Sequence, residues 1–317
     1  MNVQNDLAFG PVPSRRLGQS LGINNIPPKV CSYSCVYCQI GFTRDLEASR
    51  RNFYPPQEIL ARVRQKVDAA RRRGEAIDYL TFVPDGEPTL DAQLGAEIRA
   101  LRELGIGVAV ITNASLLNDR NVRADLAHAD WVSVKVDTVD PRTWRRVNRP
   151  HRTARLEEIT AGIERFAYEF PGTLVSETML VSDMNDRDDL LRATARFISG
   201  LDVERAYLSV PIRPPARISV RAPDERRLTA AFGIFSEEVG AAELLIGYEG
   251  DAFAASGDAA ADLLSITAVH PMKEQAVTTL LERDRADWSI VRGLLDSGQL
   301  VETRYSGDRF FARRLDV

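Results

Sequence analysis

The strongest constraint on the fold is a regular alternation of short runs with β-strand character and longer runs with helical periodicity. Strand-like composition occurs at residues 20–24, 79–84, 108–113, 131–137, 174–181, 206–212 and 244–248. Apolar residues recur at close to a 3.6-residue period in residues 56–73, 92–104, 155–168, 187–199 and 224–239. Strands separated by helices imply β-α-β crossovers and a parallel sheet. The pattern therefore predicts an α/β fold, a full or partial β/α barrel whose functional side chains gather at the carboxyl ends of its strands.

The pattern changes toward the carboxyl-terminal end. Residues 254–261 are rich in Ala, Ser, Gly and Asp, which is typical of a linker between a barrel domain at 1–253 and a small domain at 262–317. Two helical segments, 272–283 and 287–297, precede a hairpin formed by 300–305 and 309–314. Helix, helix and hairpin is the order of a winged-helix-like domain. Its basic and acidic residues nearly balance, so we expect a packing or protein-contact role and no DNA partner.

Charge and hydropathy exclude several classes of protein. Lysine and arginine number 41 against 45 acidic residues, so there is no overall positive excess of the kind nucleic-acid-binding proteins carry. No basic start followed by an apolar run marks a secretory signal, and no stretch approaches the ~20 apolar residues of a membrane span. We therefore expect a cytoplasmic protein with no membrane partner, in a reducing compartment where clustered thiols are metal ligands or catalytic groups.

All three cysteines of the chain lie close together, at Cys31, Cys35 and Cys38. Structural zinc sites take four protein ligands, often as two separated pairs, and no fourth cysteine exists. Three thiolates suit a [4Fe–4S] cluster instead, because its fourth iron then stays open to an exogenous ligand. A zinc site, or three cysteines without a function, is the alternative.

The C-x3-C-x2-C spacing, with Tyr37 just before the last cysteine, resembles the radical S-adenosylmethionine (radical SAM) enzymes. The resemblance extends over nearly the whole chain through the segments FGPVPSRRLG, DGEPTL, ITNASLL, VSVKVDT and PIRPP. It implies a partial (β/α)6-type radical SAM barrel and an oxidoreductase-type enzyme with a [4Fe–4S] cluster and SAM as cofactors. In that family the cluster is bound by the three cysteines and cleaves SAM reductively. The resulting 5'-deoxyadenosyl radical abstracts a hydrogen atom from the substrate.

Within that family, the chain most resembles the tRNA 4-demethylwyosine synthases and uncharacterised relatives with a carboxyl-terminal winged-helix domain. The wyosine synthases are expected to carry a second iron–sulfur cluster with its own cysteines. This chain has none left after the first three, which argues against pyruvate-dependent wyosine chemistry.

The segment Asp85-Gly86-Glu87 resembles the GGE motif of the family, with Asp85 in the first glycine position. Gly86 permits a sharp turn and a close backbone approach, and a carboxylate here can hold the SAM ammonium group. Thr112 and Asn113 end the next predicted strand and are expected near SAM. The alternative for Asp85–Glu87 is an ordinary strand-to-helix turn, and the alternative for Thr112 and Asn113 is an ordinary helix cap.

Polar residues alternate with valines in the predicted strand 131–137. Ser133, Lys135 and Asp137 share the face expected to line the barrel, where buried charges are costly unless they act or pair. We expect Lys135 and Asp137 to be catalytic residues that hold the SAM carboxylate and a ribose hydroxyl or the substrate. A structural Lys135–Asp137 pair is the alternative.

The remaining candidates lie on later strands and at the amino-terminal end. Glu177 is a candidate for a polar contact to SAM or substrate, on a strand whose inward face the sequence does not define. Arg213 is expected at the rim of the site, suited to a carboxylate or phosphate. Arg15 and Arg16 are candidates for an anionic substrate, and His270 for interdomain packing.

The implied partners are SAM, an unidentified small-molecule, peptide or RNA substrate, and an electron donor such as flavodoxin or ferredoxin. Two other functions stay open. One is a tRNA-modifying radical SAM enzyme of the wyosine type. The other is a non-catalytic iron–sulfur regulator that acts through the winged-helix-like domain.

Overall fold

The computed structural model describes residues 7–246, 253, 255 and 257–314. In chain order, its strands are β1 (Ala8–Ser14), β2 (Gly18–Ile23), β3 (Val30–Cys31), β4 (Asp45–Leu46), β5 (Tyr79–Phe82), β6 (Gly107–Thr112), β7 (Trp131–Lys135), β8 (Thr173–Met179), β9 (Arg205–Ser209), β10 (Ala242–Leu245), β11 (Met272–Lys273), β12 (Leu300–Tyr305) and β13 (Asp308–Arg313). Its helices are α1 (Pro56–Arg73), α2 (Leu94–Arg102), α3 (Arg120–Leu126), α4 (Pro141–Val147), α5 (Leu156–Glu169), α6 (Asp188–Ser199), α7 (Glu225–Val239), α8 (Ala259–Val269), α9 (Glu274–Arg283) and α10 (Trp288–Asp296).

The main sheet has eight strands in the order β1-β2-β5-β6-β7-β8-β9-β10. All neighbours from β2 to β10 are parallel, whereas β1 and β2 form an antiparallel pair. Helices separate the parallel strands, and each such crossover places the carboxyl ends of neighbouring strands at the same edge. The predicted parallel α/β partial barrel is confirmed.

Strand β1 is missing from the sequence prediction because its Gly10-Pro-Val-Pro13 run reads as a loop. Proline cannot donate to a sheet ladder and is therefore confined to edge strands or bulges. β1 meets both conditions: it is an edge strand, and its register shifts between Phe9 and Val12. The last predicted barrel strand, 244–248, begins earlier in the structure, as β10, and residues 247 and 248 lie outside the described residues.

The helices cover the sheet with periodic apolar faces, as α1 illustrates. Ile59, Val63, Val67 and Ala70 are fully buried along one stripe. Burial of each larger aliphatic side chain contributes about 1.5–3 kcal/mol. The helix ends where Gly74 adopts the left-handed conformation (φ 70°) and donates to the last carbonyl groups.

Helix α8 begins at Ala259, inside the segment 254–261 that the sequence suggests as a linker. Asp258 caps the helix by accepting a hydrogen bond from the Ala261 amide (3.1 Å). Small residues open the helix, so it reads as a linker until Leu263 and Ile266 establish its buried face.

The carboxyl-terminal unit has the element order α8, β11, α9, α10, β12, β13, with a three-stranded antiparallel sheet β11-β13-β12. This order is compatible with the predicted winged-helix-like domain. The unit packs directly on the barrel: Phe9 and Val12 of β1 belong to the same apolar cluster as Leu263 and Met272. The buried Tyr305 hydroxyl donates to the Pro211 carbonyl after β9 (3.1 Å).

In the described part of the chain, no helix is long and apolar enough to cross a membrane.

Candidate active site

A cavity of about 320 Å³ lies at the carboxyl-terminal edge of the parallel strands, within the size range of small-ligand sites. Its walls come from the β1–β2 turn, the cysteine segment, the loop after β5, and the ends of β7, β8 and β9. His270 adds a wall from the carboxyl-terminal unit. All three cysteines line this cavity.

The cysteine segment is held in place by the chain after α4. The Ser34 amide donates to the Asn148 carbonyl (3.0 Å), and the Val36 amide donates to the Val147 carbonyl (2.9 Å). On the other side, the Arg217 amide donates to the Val36 carbonyl (2.9 Å). These contacts give the thiol-bearing segment a fixed backbone without regular secondary structure after Cys31.

Two asparagines reach the sulfur atoms. Asn113 Nδ2 lies 3.5 Å from Cys31 Sγ, and Asn148 Nδ2 lies 3.5 Å from Cys35 Sγ. Hydrogen bonds to ligand sulfur raise the reduction potential of an iron–sulfur cluster, because they stabilise the additional negative charge of its reduced state.

The thiols are partly exposed to the cavity but surrounded by protein. Burial is the main cause that raises the pKa of Cys35 to about 12, and it raises the pKa of Cys31 and Cys38 as well. Neutral thiols are therefore the stable form without a cation, and cationic iron would supply the charge that makes them thiolates. In the described part of the chain, no group of three or more His, Cys, Asp and Glu side chains closes around a single metal ion. The fit to a cluster rests on three soft donors at one cavity.

The loop after β5 passes against the backbone just before Cys31. The Lys29 amide donates to the Asp85 carbonyl (2.6 Å), and the Glu87 amide donates to the Val30 carbonyl (3.1 Å). A Cβ atom on Gly86 would stand 1.8 Å from the Val30 carbonyl oxygen. Glycine is required here for the approach of two backbone segments, one of which carries the first cysteine.

Asp85 and Glu87 have opposite surroundings. The Asp85 side chain is buried and lines the cavity, and its Oδ1 atom has no hydrogen-bond partner. Burial raises the pKa of Asp85 to about 8, against the opposing effects of Arg313 and Lys29. A buried oxygen without a donor is typical of a site that receives a cationic or hydrogen-bonding ligand.

Glu87 does not line the cavity but connects the loop to the end of β6. Its carboxylate accepts hydrogen bonds from the Thr89 hydroxyl (2.6 Å), the Thr112 hydroxyl (2.6 Å) and the Asn113 amide (2.7 Å). The predicted cofactor residues Thr112 and Asn113 therefore hold Glu87, and Asn113 also reaches Cys31. Of the Asp85–Glu87 segment, the side chain that faces the cavity is that of Asp85.

Glu177 is at the centre of a cluster of charged and polar side chains in the barrel lumen. The Glu177 side chain is therefore on the inward face of β8. Its carboxylate pairs with Arg16 and with Lys135 Nζ (3.2 Å), and it accepts a hydrogen bond from the Ser209 hydroxyl (2.9 Å). Lys135 also lies over the Tyr37 ring, 4.9 Å from its centroid. Burial lowers the pKa of Lys135. In the structure, Lys135 forms its ion pair with Glu177 and not with Asp137, so the alternative of a Lys135–Asp137 pair is wrong.

Asp137 lies beyond the end of β7, behind the cysteine segment. It accepts hydrogen bonds from the Tyr37 hydroxyl, from Asn148 Nδ2 (2.6 Å) and from the Met179 amide (2.9 Å). Asp137 thus orients Tyr37, and through Asn148 it is connected to Cys35. Ser133 is fully buried, and its hydroxyl has no hydrogen-bond partner.

Arg213 is buried in the wall of the cavity, so the prediction that it stands at the rim is wrong. Its guanidinium donates to Gln39 Oε1 (3.2 Å) and lies 2.7 Å from His270 Nε2. Because arginine stays charged, it is the donor and the imidazole nitrogen is the acceptor. His270 also stacks edge-on against Phe253, with ring centroids 5.2 Å apart. It therefore packs between barrel and carboxyl-terminal unit, as predicted, and also lines the cavity.

The structure brings most of the predicted residues to one cavity and places the others around it. Lining the cavity are Cys31, Cys35, Cys38, Tyr37, Asp85, Gly86, Lys135, Glu177, Arg213, Arg15, Arg16 and His270. Glu87, Thr112, Asn113, Ser133 and Asp137 lie outside this lining. Sequence reasoning missed Lys29, Gln39 and Ser209 in the wall and Asn148 behind it. Lys29 could have been found from its position beside the cysteines in a chain with few lysines.

Comparison with known proteins identifies the family. A family model described as the radical SAM superfamily matches residues 25–194, which include the three cysteines and the strands from β5 to β8. The chain belongs to the radical SAM superfamily. As a radical SAM protein it is an enzyme, with a [4Fe–4S] cluster and SAM as its cofactors and reductive cleavage of SAM as its chemistry. The prediction of an enzyme with these two cofactors is confirmed.

The relatives and structural neighbours of this radical SAM enzyme agree with that assignment. It is 41% identical over 311 residues to a UPF0026 protein of Methanocaldococcus jannaschii, covering 98% of this chain and 96% of that protein. A radical SAM methyltransferase from Sphaerobacter thermophilus matches with a TM-score of 0.53 at 18% identity, over 72% of this chain and 66% of that one. A structure of TYW1 with a lysine–pyruvate adduct matches with a TM-score of 0.52 at 14% identity, over 69% and 73%. At these identities, the structural matches show the fold alone.

Proposed function

We propose that Cys31, Cys35 and Cys38 hold the [4Fe–4S] cluster, and that SAM and a substrate bind beside it in the same cavity. Held there, the cluster and SAM would supply the radical chemistry that removes a hydrogen atom from the substrate. The observation that carries this proposal is that three thiols, a buried carboxylate and a half-buried ammonium group line one small cavity. When bound, the cluster and SAM supply the radical, and the protein supplies binding, orientation and exclusion of water.

Opposite charges at two walls fit the amino-acid end of SAM. Asp85 presents an oxygen without a partner, and an ammonium group beside it would offset the desolvation that raises its pKa. Lys135 presents a cation, already oriented by Glu177 and Tyr37, which suits the SAM carboxylate. Glu87 and Asp137 then act as positioning residues, because their hydrogen bonds hold the loop after β5 and Tyr37.

The rest of the wall favours a substrate with an anionic group. Among the described residues that line the cavity, five are lysine or arginine and two are aspartate or glutamate. Arg15 and Arg16 lie in the β1–β2 turn, and Arg213 lines the same cavity beside His270. A carboxylate or phosphate on the substrate would match this excess of positive charge.

The other candidate functions have less support. A tRNA substrate of the wyosine type rests on resemblance, and the chain has no cysteines for a second cluster. A non-catalytic regulator conflicts with membership of an enzyme superfamily and with the charged lumen of the barrel. The winged-helix-like unit is proposed to act as a wall of the cavity through His270.

Anaerobic reconstitution with iron and sulfide, followed by dithionite and SAM, tests the proposal. We expect about four irons per chain, and 5'-deoxyadenosine that forms only in the reduced sample. Cys35→Ser should lose both iron and product. Phe42→Leu, an exposed change next to the cysteine segment, is the matched control and should keep both. A fully loaded wild-type protein that yields no 5'-deoxyadenosine, and whose cluster spectrum does not respond to SAM, contradicts the proposal.

A further inference from the structure

A positively charged surface with apolar residues lies directly outside the cysteine segment. We call it the arginine surface and define it by Phe42, Arg146, Arg149, Arg217, Ile218 and Arg221, all of them exposed. None of these residues lines the cavity. The surface is therefore separate from the site where SAM and substrate are proposed to bind.

The arginine surface is attached to the cysteine segment by backbone contacts. The chain before Arg149 bonds to Ser34 through the Asn148 carbonyl (3.0 Å), and the Arg217 amide bonds to the Val36 carbonyl (2.9 Å). Ser34 and Val36 flank Cys35 on either side. An electron that enters through this surface reaches the cysteine segment without crossing another element.

The support beneath the surface is a small apolar cluster. Val36, Val147 and Val220 are buried in it, together with Tyr37 and Val181. This packing joins the cysteine segment, the end of α4 and the segment of Arg217 to Arg221. The arginine surface is therefore a fixed patch on folded backbone rather than a set of independent loops.

Charge on this surface is not neutralised by the protein, unlike charge on the outer helices. Residues 141–155 contain six arginines and no acidic residue. In the described part of the chain, Arg146, Arg149, Arg217 and Arg221 have no carboxylate within 4.0 Å. The nearby exposed acid is Asp183, whose carbonyl accepts from Arg146 (3.4 Å). By contrast, arginines of α6 pair with glutamates of α7: Arg192–Glu237 and Arg196–Glu238.

Exposed apolar side chains sit among these charges. Ile218 is 70% exposed and Phe42 is 43% exposed, and Arg149 lies over the Phe42 ring at 5.0 Å from its centroid. An apolar centre with a charged rim is the anatomy of a protein–protein interface. Because one face of the Phe42 ring is already covered by a guanidinium, the ring is a poor stacking platform for an RNA base.

We propose that the arginine surface is the docking site of an acidic one-electron carrier protein. This inference rests on the proposed function, because a cluster that cleaves SAM must be reduced from outside the chain. The carrier is oxidised by one electron and the bound cluster is reduced by one electron, with no bond made or broken and no proton moved. Complementary charge would accelerate encounter and orient the carrier over the cysteine segment.

The test uses the cluster-loaded protein and a charge-reversed variant, Arg149→Glu/Arg217→Glu. The matched control is Arg62→Glu/Arg72→Glu on α1, which changes the net charge equally at exposed positions of another helix. Two quantities are measured over a salt series: binding of an acidic flavodoxin by biolayer interferometry, and 5'-deoxyadenosine formed with reduced flavodoxin or with dithionite. Arg149→Gln/Arg217→Gln provides a milder variant in case the reversal disturbs folding.

We expect the reversed variant to bind flavodoxin at least about tenfold more weakly at low salt, with a loss that shrinks as salt rises. Its flavodoxin-driven rate should fall in parallel, while its dithionite-driven rate and the control stay at the wild-type level. The docking site is overturned if the reversed variant binds flavodoxin as well as wild type does, or if the control loses flavodoxin binding equally. It is also overturned if both Arg149/Arg217 variants lose as much activity with dithionite as with flavodoxin. Loss of salt-dependent tRNA binding with unchanged flavodoxin binding also overturns it, in favour of an RNA surface. Failure of the wild type with dithionite would instead contradict the proposed function.

Discussion

Gly86→Ala tests the contact between the loop after β5 and the first cysteine. The new Cβ atom would stand 1.8 Å from the Val30 carbonyl oxygen and 2.8 Å from Ile26 Cδ1, whereas real Cβ contacts are essentially never below 3.0 Å. The two backbone segments must therefore separate by about 1.2 Å. Two hydrogen bonds hold them together, Glu87 N–H to Val30 O and Lys29 N–H to Asp85 O, and both would lengthen or break.

The magnitude follows from these contacts. Overpacking costs about 1–3 kcal/mol, and loss of each hydrogen bond costs about 1 kcal/mol, so we expect about 3–5 kcal/mol in all. For a chain of 317 residues, the entropy of unfolding converts this free energy into a fall in Tm of about 5–8 °C. Val30 directly precedes Cys31, so the displacement should also reduce the iron bound per chain.

The assay is anaerobic calorimetry together with iron and sulfide analysis after reconstitution. Gly233→Ala is the control: Gly233 lies within α7, and a Cβ atom there meets nothing within 4 Å. Because alanine is favoured over glycine in a helix, this variant should melt no lower than wild type and bind equal iron. A Gly86→Ala protein with wild-type iron content and a Tm within about one degree of wild type would refute the reasoning.

Three further predictions concern charges and hydrogen bonds around the cavity. Burial raises the pKa of Asp85 to about 8, above its unfolded value of about 3.9, so its protonated form is favoured by folding. Relative to Asp85→Asn, the free energy of unfolding of the wild type should therefore fall by about 1.4 kcal/mol per pH unit between these two pKa values and level off above pH ~8. A difference between the two proteins that stays constant from pH 6 to 9 in denaturant titrations would contradict this. Asn148→Ala removes the amide donor at Cys35 Sγ, so the midpoint potential of the cluster should become more negative in an electron paramagnetic resonance titration, and an unchanged potential argues against that bond. Lys135→Met removes the ammonium group beside Glu177, so SAM should bind at least about tenfold more weakly by calorimetry, while Lys135→Arg keeps most of the affinity; equal losses would show that the charge is not what binds.

Asp85 and Glu87 show how far a motif can be carried from sequence to structure. The sequence predicted a turn at the carboxyl end of a strand, and the structure places that turn against the backbone just before Cys31. The sequence favoured a carboxylate for the ligand but could not say which of the two carboxylates would be free. That choice depends on Thr89, Thr112 and the Asn113 amide, which all bond to Glu87; Thr112 ends β6 and Asn113 follows it.

Sequence alone determined the class of fold and the cysteine set, because these depend on short-range patterns, and its resemblance to a known family implied the cofactors. Periodicity within 10–20 residues separates helices from strands, and C-x3-C-x2-C defines three thiols in one short loop. The contacts of several later residues were decided only by the tertiary structure, since partners such as Lys135 and Glu177, or Arg213 and His270, are far apart in sequence. Strand β1 could not be recognised from the sequence because of its prolines, which a sheet tolerates here only because β1 is an edge strand with a bulge. The arginine surface also depends on the tertiary structure, because its residues come from three separate segments. Only the packing of Val36, Val147 and Val220 places them around the cysteines.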